Sequence, residues 1–143
     1  MIESTENLIT DSNATVEQLK QWVLAFSRDR DWEQFHHPKD LGLALAIEVG
    51  EVLEYFRYRS NEEIQAVLEN VELRRELSHE VADCLWLILR LADVCQIDLT
   101  TALDEKLAEA VRKYPVEQVR GRADKYTTFQ NPATTSNHRE GIP

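Results

Sequence analysis

The chain has 143 residues, with 16 Lys and Arg against 26 Asp and Glu, and its formal net charge is −10. A surface this acidic argues against nucleic acid and against an anionic membrane as binding partners. The length suits one domain, and 43% hydrophobic residues are enough to form a core. Because no apolar stretch is long enough to span a bilayer, we expect a cytoplasmic protein.

A polar arm without hydrophobic periodicity is expected at residues 1–14. The first predicted helix begins with a capping box, in which the side chains of Thr15 and Gln18 bind each other's backbone N–H groups. Its apolar residues recur at helical spacing, and they are Leu19, Trp22, Val23 and Phe26. We expect this helix to end within residues 32–37, because Pro38 disfavours helical geometry in the residue before it.

The second predicted helix runs from about Asp40 to Arg59, and its segment LGLALAIEVGEVLEYF carries three charges, all of them glutamates. A helix that is apolar on nearly every side is expected to be buried, between other helices or between subunits. Ser60 and Glu63 then form a second capping box, which predicts a short helix that ends near Glu69.

Two further helices are predicted, at Glu72–Cys95 and from Asp98 or Thr100 to Pro115. No segment shows the alternation of polar and apolar residues that is typical of a strand, so the predicted fold class is all-α, a bundle of four to five helices. A bundle of this size leaves much apolar surface uncovered, and we therefore expect it to be oligomeric. Residues 127–143 are polar and aperiodic, which predicts a disordered tail.

Two pairs of acidic residues fall within predicted buried helices. Glu48 and Glu51 lie three residues apart in the second helix, and Glu80 and Asp83 repeat that spacing in the third. Four carboxylates held together away from water would repel one another, and a divalent cation removes that cost. Oxygen ligands alone favour a hard ion, so we expect Mg²⁺, with Mn²⁺ as a substitute.

Other interpretations of these motifs stay open from the residues alone. Glutamates at this spacing are common on solvated helix faces, and the chain would then be a helical interaction module without catalytic activity. Glu33 with His36, and Glu76 with His79, are Glu-x-x-His pairs of the kind found in di-iron bundles. The order of the carboxylate pairs along the chain does not match that of a di-iron protein.

The segment DWEQFHH places aromatic, amide and imidazole side chains between the first two helices. Such a group could stack on a flat base and hydrogen-bond to its edge. Composition alone favours a plainer interpretation, in which Trp32 and Phe35 cover the end of the bundle.

Four segments together resemble one family, and they are DWEQFHHP, EVGEVLEYF, ELSHEVADCLWLI and RKYPVEQVRGRADKYT. They are similar to the all-α nucleoside triphosphate pyrophosphohydrolases of the MazG type, and in particular to the branch of small dCTP pyrophosphatases. The resemblance spans about residues 15–128 and implies one helical catalytic domain over residues 15–126.

The resemblance implies an Mg²⁺ site and a reaction. Its metal ligands would be Glu48, Glu51, Glu80 and Asp83. Members of the family cleave a nucleoside triphosphate between the α and β phosphates, and they assemble as dimers or tetramers with sites near subunit contacts. We therefore expect a homodimer or homotetramer that hydrolyses dCTP or modified dCTP. One carboxylate would also accept a proton from the attacking water; the sequence does not distinguish among them, and our candidate is Glu51.

The resemblance also implies which residues hold the substrate. The base and sugar would lie against the segment between the first two helices and two later positions, and these residues are Trp32, Glu33, Gln34, Phe35, His36, Tyr58 and Leu87. Lys113 and Lys125 are candidates to hold the outer phosphates, because the stretch from Lys106 to Lys125 carries a local charge of +3. Their alternative role is to stabilise the C-terminal end of a helix dipole.

Three positions depart from the pattern of the dCTP-cleaving members. Tyr58 stands where they carry Trp, Leu87 where they carry Tyr, and Val23 where they carry His. A tyrosine can still stack on a base, but Leu87 donates no hydrogen bond. Hydrolysis of a nucleoside triphosphate is therefore a firmer expectation than the identity of its base.

Overall fold

The computed structural model of the protein describes residues 8–123. The predicted disordered tail at residues 127–143, Lys125 and the first half of the predicted arm lie outside the described residues. Among the residues described there are helices and no strand, and the all-α prediction is confirmed. The helices are α1 (Val16–Arg28), α2 (Pro38–Glu54), α3 (Asn61–Glu69), α4 (Val71–Val94), α5 (Leu99–Lys113) and α6 (Val116–Val119), with a 3-10 turn at Glu33–Phe35.

The chain divides into two compact units, one up to Leu99 and one from Thr100. In the first unit, α2 packs along α4, and α1 and α3 also pack against α4. Its small apolar core draws on α2, α3 and α4, and consists of Leu41, Val67, Leu77, Leu87, Leu89 and Ala92. The second unit contains α5 and the single turn of α6. None of the helices described here combines the length and hydropathy needed to cross a membrane.

Both predicted capping boxes are present and set the starts of α1 and α3. The backbone N–H of Gln18 donates to Thr15 Oγ1 at 3.2 Å, and that of Thr15 donates to Gln18 Oε1 at 2.8 Å. At α3 the backbone N–H of Glu63 donates to Ser60 Oγ at 3.3 Å, and that of Ser60 donates to Glu63 Oε2 at 2.6 Å. These starts follow from local side-chain chemistry, which is why the sequence predicts them.

The predicted end of the first helix is wrong, because α1 stops at Arg28, before residues 32–37. Asp31 adopts a left-handed backbone with φ +54°, and a helix cannot continue through it. The backbone N–H of Trp32 instead donates to Ser27 O at 2.9 Å, which turns the chain back over the end of α1. Pro38 does not terminate α1 but is the first residue of α2, a position where a backbone N–H would have no partner within the helix.

The second helix is also shorter than predicted, since α2 ends at Glu54 and not at Arg59. Tyr58 has φ +60°, outside the helical region, and the Arg59 side chain donates to the backbone carbonyls of Glu54 and Tyr55. These are carbonyls that the end of a helix leaves without backbone partners.

The prediction that α2 is buried among other helices is wrong for much of its surface. Only Leu41 is buried, whereas Leu43, Ile47 and Leu53 are 60%, 64% and 56% exposed. The alternative of burial between subunits stays a prediction.

Candidate active site

Three carboxylates converge where α2 packs against α4. Glu48 comes from α2, and Glu80 and Asp83 come from one side of α4 because they lie three residues apart. One carboxylate oxygen of each residue lies within 4.8 Å of those of the other two. The structure thus brings together three of the four predicted metal ligands from two different helices.

The charge of this cluster is not balanced by a neighbouring cation among the described residues. Burial raises the pKa of Glu48, and the negative charges of Asp83, Glu80 and Glu51 raise it further. A group that resists ionisation beside two other carboxylates is in a position where a bound cation would lower the free energy. The ligands are all oxygen atoms from two elements that pack together, and this donor set fits Mg²⁺ or Mn²⁺.

Glu51 lies outside the group of three. It is one turn further along α2 from Glu48, and its side chain is exposed. Its charge contributes to the raised pKa of Glu48, which places it within electrostatic reach of the cluster. Its roles as a metal ligand and as the base stay predictions.

A pocket of about 600 Å³ opens beside the cluster. Its walls come from α1, α2, α4 and the residues after α1, and its lining consists of Trp22, Val23, Phe26, Trp32, Ala44, Glu48, Asp83, Trp86 and Leu87. Two of these residues are carboxylates of the cluster, and the others are apolar or aromatic. The pocket can therefore accept a ligand with a flat apolar part and an anionic part, the anionic part reaching a cation at the cluster.

The aromatic rings around the pocket are held by contacts with one another. Phe26 meets Trp32 edge to face with ring centroids 5.8 Å apart, and His36 meets Trp86 in the same way at 5.5 Å. Trp32 is 44% exposed, so part of its ring is accessible. Exposed indole and phenyl rings at a pocket wall are suited to stacking on a planar ligand.

The predicted substrate residues divide into two groups. Trp32 and Leu87 line the pocket. The other five do not line it: Tyr58 is 90% exposed and Phe35 is 63% exposed. The remaining three are Glu33, Gln34 and His36, and Gln34 donates to the Asp31 side chain at 2.7 Å.

Several lining residues were missed by the sequence reasoning. From the sequence, Trp22 and Phe26 are predicted only as apolar residues at helical spacing, a pattern that usually marks the side of a helix facing a core. In the structure Trp22 and Phe26 are 46% and 41% exposed, and both line the pocket. A signal was present, since two large aromatic residues four apart on a helix make one continuous aromatic face.

Lys113 lies on α5 in the second unit, and its ammonium group pairs with Glu109. Lys106 also contacts Glu109, at 2.8 Å. Hydrogen bonds from Lys106 and Lys113 lower the pKa of Glu109 to about 2. A phosphate bound by Lys113 would therefore compete with a carboxylate that stays ionised at any physiological pH.

This chain is similar to known proteins in sequence and structure. The model of the MazG-like family matches residues 43–129. The chain is 38% identical over 130 residues to dCTP pyrophosphatase 1 of Bos taurus, covering 91% of this chain and 77% of the bovine protein. It is 34% identical over 127 residues to dCTP pyrophosphatase 1 of Homo sapiens, covering 89% and 75%. A pyrophosphatase crystal structure from Archaeoglobus fulgidus matches with TM-score 0.66 and 36% identity, covering 76% of this chain and 99% of that one.

Proposed function

Because this chain belongs to the MazG-like family, we propose that it hydrolyses dCTP, or a modified dCTP, between the α and β phosphates to the monophosphate and pyrophosphate. The observation that carries the proposal is the position of the carboxylate cluster at the margin of an aromatic pocket. One ligand can occupy both, with a planar base in the pocket and a triphosphate at the cluster.

The proposed metal site is Glu48, Glu80 and Asp83, with Glu51 as a fourth candidate ligand. Mg²⁺ held there would neutralise phosphate charge and make a bound water more acidic. Mn²⁺ would serve as a substitute. The contribution of the chain itself is to hold these carboxylates on two packed helices, so that the triphosphate meets a fixed group of ligands.

Glu51 is our candidate to accept the proton from the attacking water. It is exposed, one turn from Glu48, and close enough that its charge raises the pKa of Glu48. An accessible carboxylate beside the cluster is suited to this role.

The base would be held by stacking and apolar contact. Trp32 offers an accessible ring, and Leu87 and Val23 give a wall without hydrogen-bonding groups. Glu33, Gln34, Phe35, His36 and Tyr58 are proposed to act at the edge of the base or sugar, outside the pocket lining. For the outer phosphates we propose Lys113 and Lys125.

A panel of dNTPs tests the proposed function. The protein is incubated with each dNTP and Mg²⁺, and pyrophosphate and the monophosphate are both quantified. We expect equal amounts of the two products, with dCTP or a 5-substituted dCTP cleaved most efficiently, and loss of the reaction on chelation. Orthophosphate in place of pyrophosphate, or no product from any nucleotide, would contradict the proposal.

A further inference from the structure

Arg90 is a charged residue in the interior of the first unit, with only 4% of its surface exposed. It lies on α4, two turns beyond Asp83, and therefore near the same face of the helix. A buried guanidinium is tolerated only when its charge and its N–H groups are matched by partners. The partners of the Arg90 guanidinium therefore show which parts of the chain it connects.

The guanidinium joins α4 to the 3-10 turn that follows α1. Its Nε donates to Nδ1 of His36 at 2.9 Å, and its Nη2 lies 3.9 Å from a carboxylate oxygen of Glu33. Its Nη1 donates to Asp93, one turn further along α4. Glu33 is the first residue of the turn and His36 directly follows it, so one side chain on α4 contacts both ends of the turn. The planar fork of arginine is suited to this task, and a lysine ammonium is not.

This connection reaches the pocket through aromatic contacts. The ring of His36 meets Trp86 edge to face at 5.5 Å, and Trp86 lines the pocket. Trp32, which also lines the pocket, is the residue directly before the turn. The position of the turn on α4 therefore affects both tryptophans: Trp32 directly precedes the turn, and the ring of Trp86 packs against His36.

We propose that Arg90 is a positioning residue for the substrate pocket, which acts through His36 and the turn at Glu33–Phe35 to fix the indole rings of Trp32 and Trp86. Arg90 is buried and is not among the residues that line the pocket, so we assign it a positioning role and not a contact with the substrate. The inference rests on the proposed function, since it assigns these rings to base binding.

The state of His36 agrees with this arrangement. A hydrogen bond from Arg90 requires that Nδ1 of His36 carry no proton. Burial lowers the pKa of His36, and the positive charge of Arg90 lowers it further. His36 therefore accepts from Arg90 as a neutral imidazole.

The test compares Arg90→Met and Arg90→Lys with Arg75→Met. Arg75 also lies on α4, but it is exposed and pairs with Glu72. With dCTP as the substrate, we expect both Arg90 variants to raise KM by about tenfold, because the rings that hold the base lose their fixed position; this corresponds to about 1.4 kcal/mol of substrate binding. The kcat and the Mg²⁺ concentration for half-maximal rate should stay unchanged, as in Arg75→Met. A lower Tm with an unchanged KM would mean that Arg90 is merely structural, and would overturn the proposal.

A second variant covers the case in which neither Arg90 variant folds. His36→Phe keeps a ring against Trp86 but removes the acceptor for Arg90, and we expect the same rise in KM. An unchanged KM in His36→Phe would overturn the proposal independently.

Failure of the proposed function can be recognised separately. If the wild-type protein cleaves no dNTP, the ligand-free proteins still decide whether Arg90 positions the rings. We then expect His36→Phe and Arg90→Met to change the near-ultraviolet circular dichroism of the tryptophans while the far-ultraviolet spectrum is retained. Identical near-ultraviolet spectra would overturn the positioning role.

Discussion

Glu48 has an unusual environment for an acidic side chain. It lies in the most apolar helix of the chain, partly buried, facing two carboxylates of α4. Its raised pKa means that the ionised carboxylate has a higher free energy in the folded protein than in water. Such a position lowers stability without a cation, and this is why we assign it to binding and not to packing.

Glu48→Gln and Asp83→Asn separate these two effects. We expect each to abolish pyrophosphate release, because each removes a charged metal ligand while keeping the shape of the side chain. In a chelating buffer the Tm of Glu48→Gln should equal or exceed that of the wild type, because the repulsion is relieved. Mg²⁺ should raise the Tm of the wild type more than that of the variant.

Glu54→Gln is the matched control for these variants, since Glu54 is on the same helix but pairs with Arg57 in solvent. It should retain its activity and its response to Mg²⁺. Full turnover in both Glu48→Gln and Asp83→Asn would remove the metal-site assignment.

Trp32 and Phe35 are aromatic residues three apart that the structure places differently. Trp32 lines the pocket, whereas Phe35 does not and is 63% exposed. We expect Trp32→Ala to raise the KM for dCTP by about tenfold, a typical value for the stacking of one base on an aromatic ring. Phe35→Ala serves as the comparison and should change KM less. A larger effect from Phe35→Ala would show that the base binds outside this pocket.

At the scale of the helices, the sequence predicts starts better than ends. The starts of α1 and α3 depend on a capping residue and its partner three positions later, a signal contained in four residues. The ends of α1 and α2 depend on left-handed residues, Asp31 and Tyr58, which are neither Gly nor Asn. Asp adopts this backbone more often than most residues but is not restricted to it, and Tyr rarely adopts it, so the predicted helices extend several residues too far.

At the site, too, features set by local sequence could be predicted and features set by the packing of helices could not. The grouping of Glu48, Glu80 and Asp83 could be predicted, because two pairs of acids within apolar helices indicate a shared site. That these residues bind a metal stays a prediction. The aromatic wall could not be predicted, because Trp22 and Phe26 show the same helical spacing whether they face a core or a pocket. Only the packing of α1 on α4 decides between the two.

The capping boxes allow a test at this scale. We expect Thr15→Ala and Ser60→Ala each to lower the free energy of unfolding by about 1 kcal/mol, because each leaves a helix N–H without its acceptor. Urea unfolding followed by circular dichroism measures the change. Ser78→Ala is the control, since Ser78 lies inside α4 and its hydroxyl donates to a carbonyl of the same helix. A loss of stability in Ser78→Ala as large as in the capping variants would contradict the assignment.

At the scale of the whole molecule, the acidic composition has a different effect at the site than over the rest of the surface. The net charge of −10 excludes a surface that attracts polyanions, yet the proposed substrate is a triphosphate. Three of the acids form the cluster beside the pocket, where a cation would turn repulsion of phosphate into attraction. The negative charge of the whole protein thus repels anions, whereas the acids of the site would attract a phosphate through the cation they hold.

The outer face of α2 leads to a prediction about assembly. Leu43, Ile47 and Gly50 follow one another at i, i+4 and i+7, so they share a face, and the two large residues are 60% and 64% exposed. A Cβ added to Gly50 would meet no atom within 4 Å, so packing within the described chain gives no reason for a glycine there. A glycine inside a helix costs about 1 kcal/mol relative to alanine. Close approach of a second helix would explain both the glycine and the exposed apolar residues.

We therefore predict that the protein is a homodimer or homotetramer that uses this face, and that Leu43→Glu with Ile47→Glu dissociates it. Sedimentation equilibrium over a range of concentrations measures the mass. Val71→Glu is the control, because Val71 is 70% exposed at the start of a different helix, α4. Gly50→Ala should weaken association while stabilising α2, a combination that a surface without a partner would not give. A wild-type protein that is monomeric at every concentration would contradict the prediction and would leave the glycine without a physical reason.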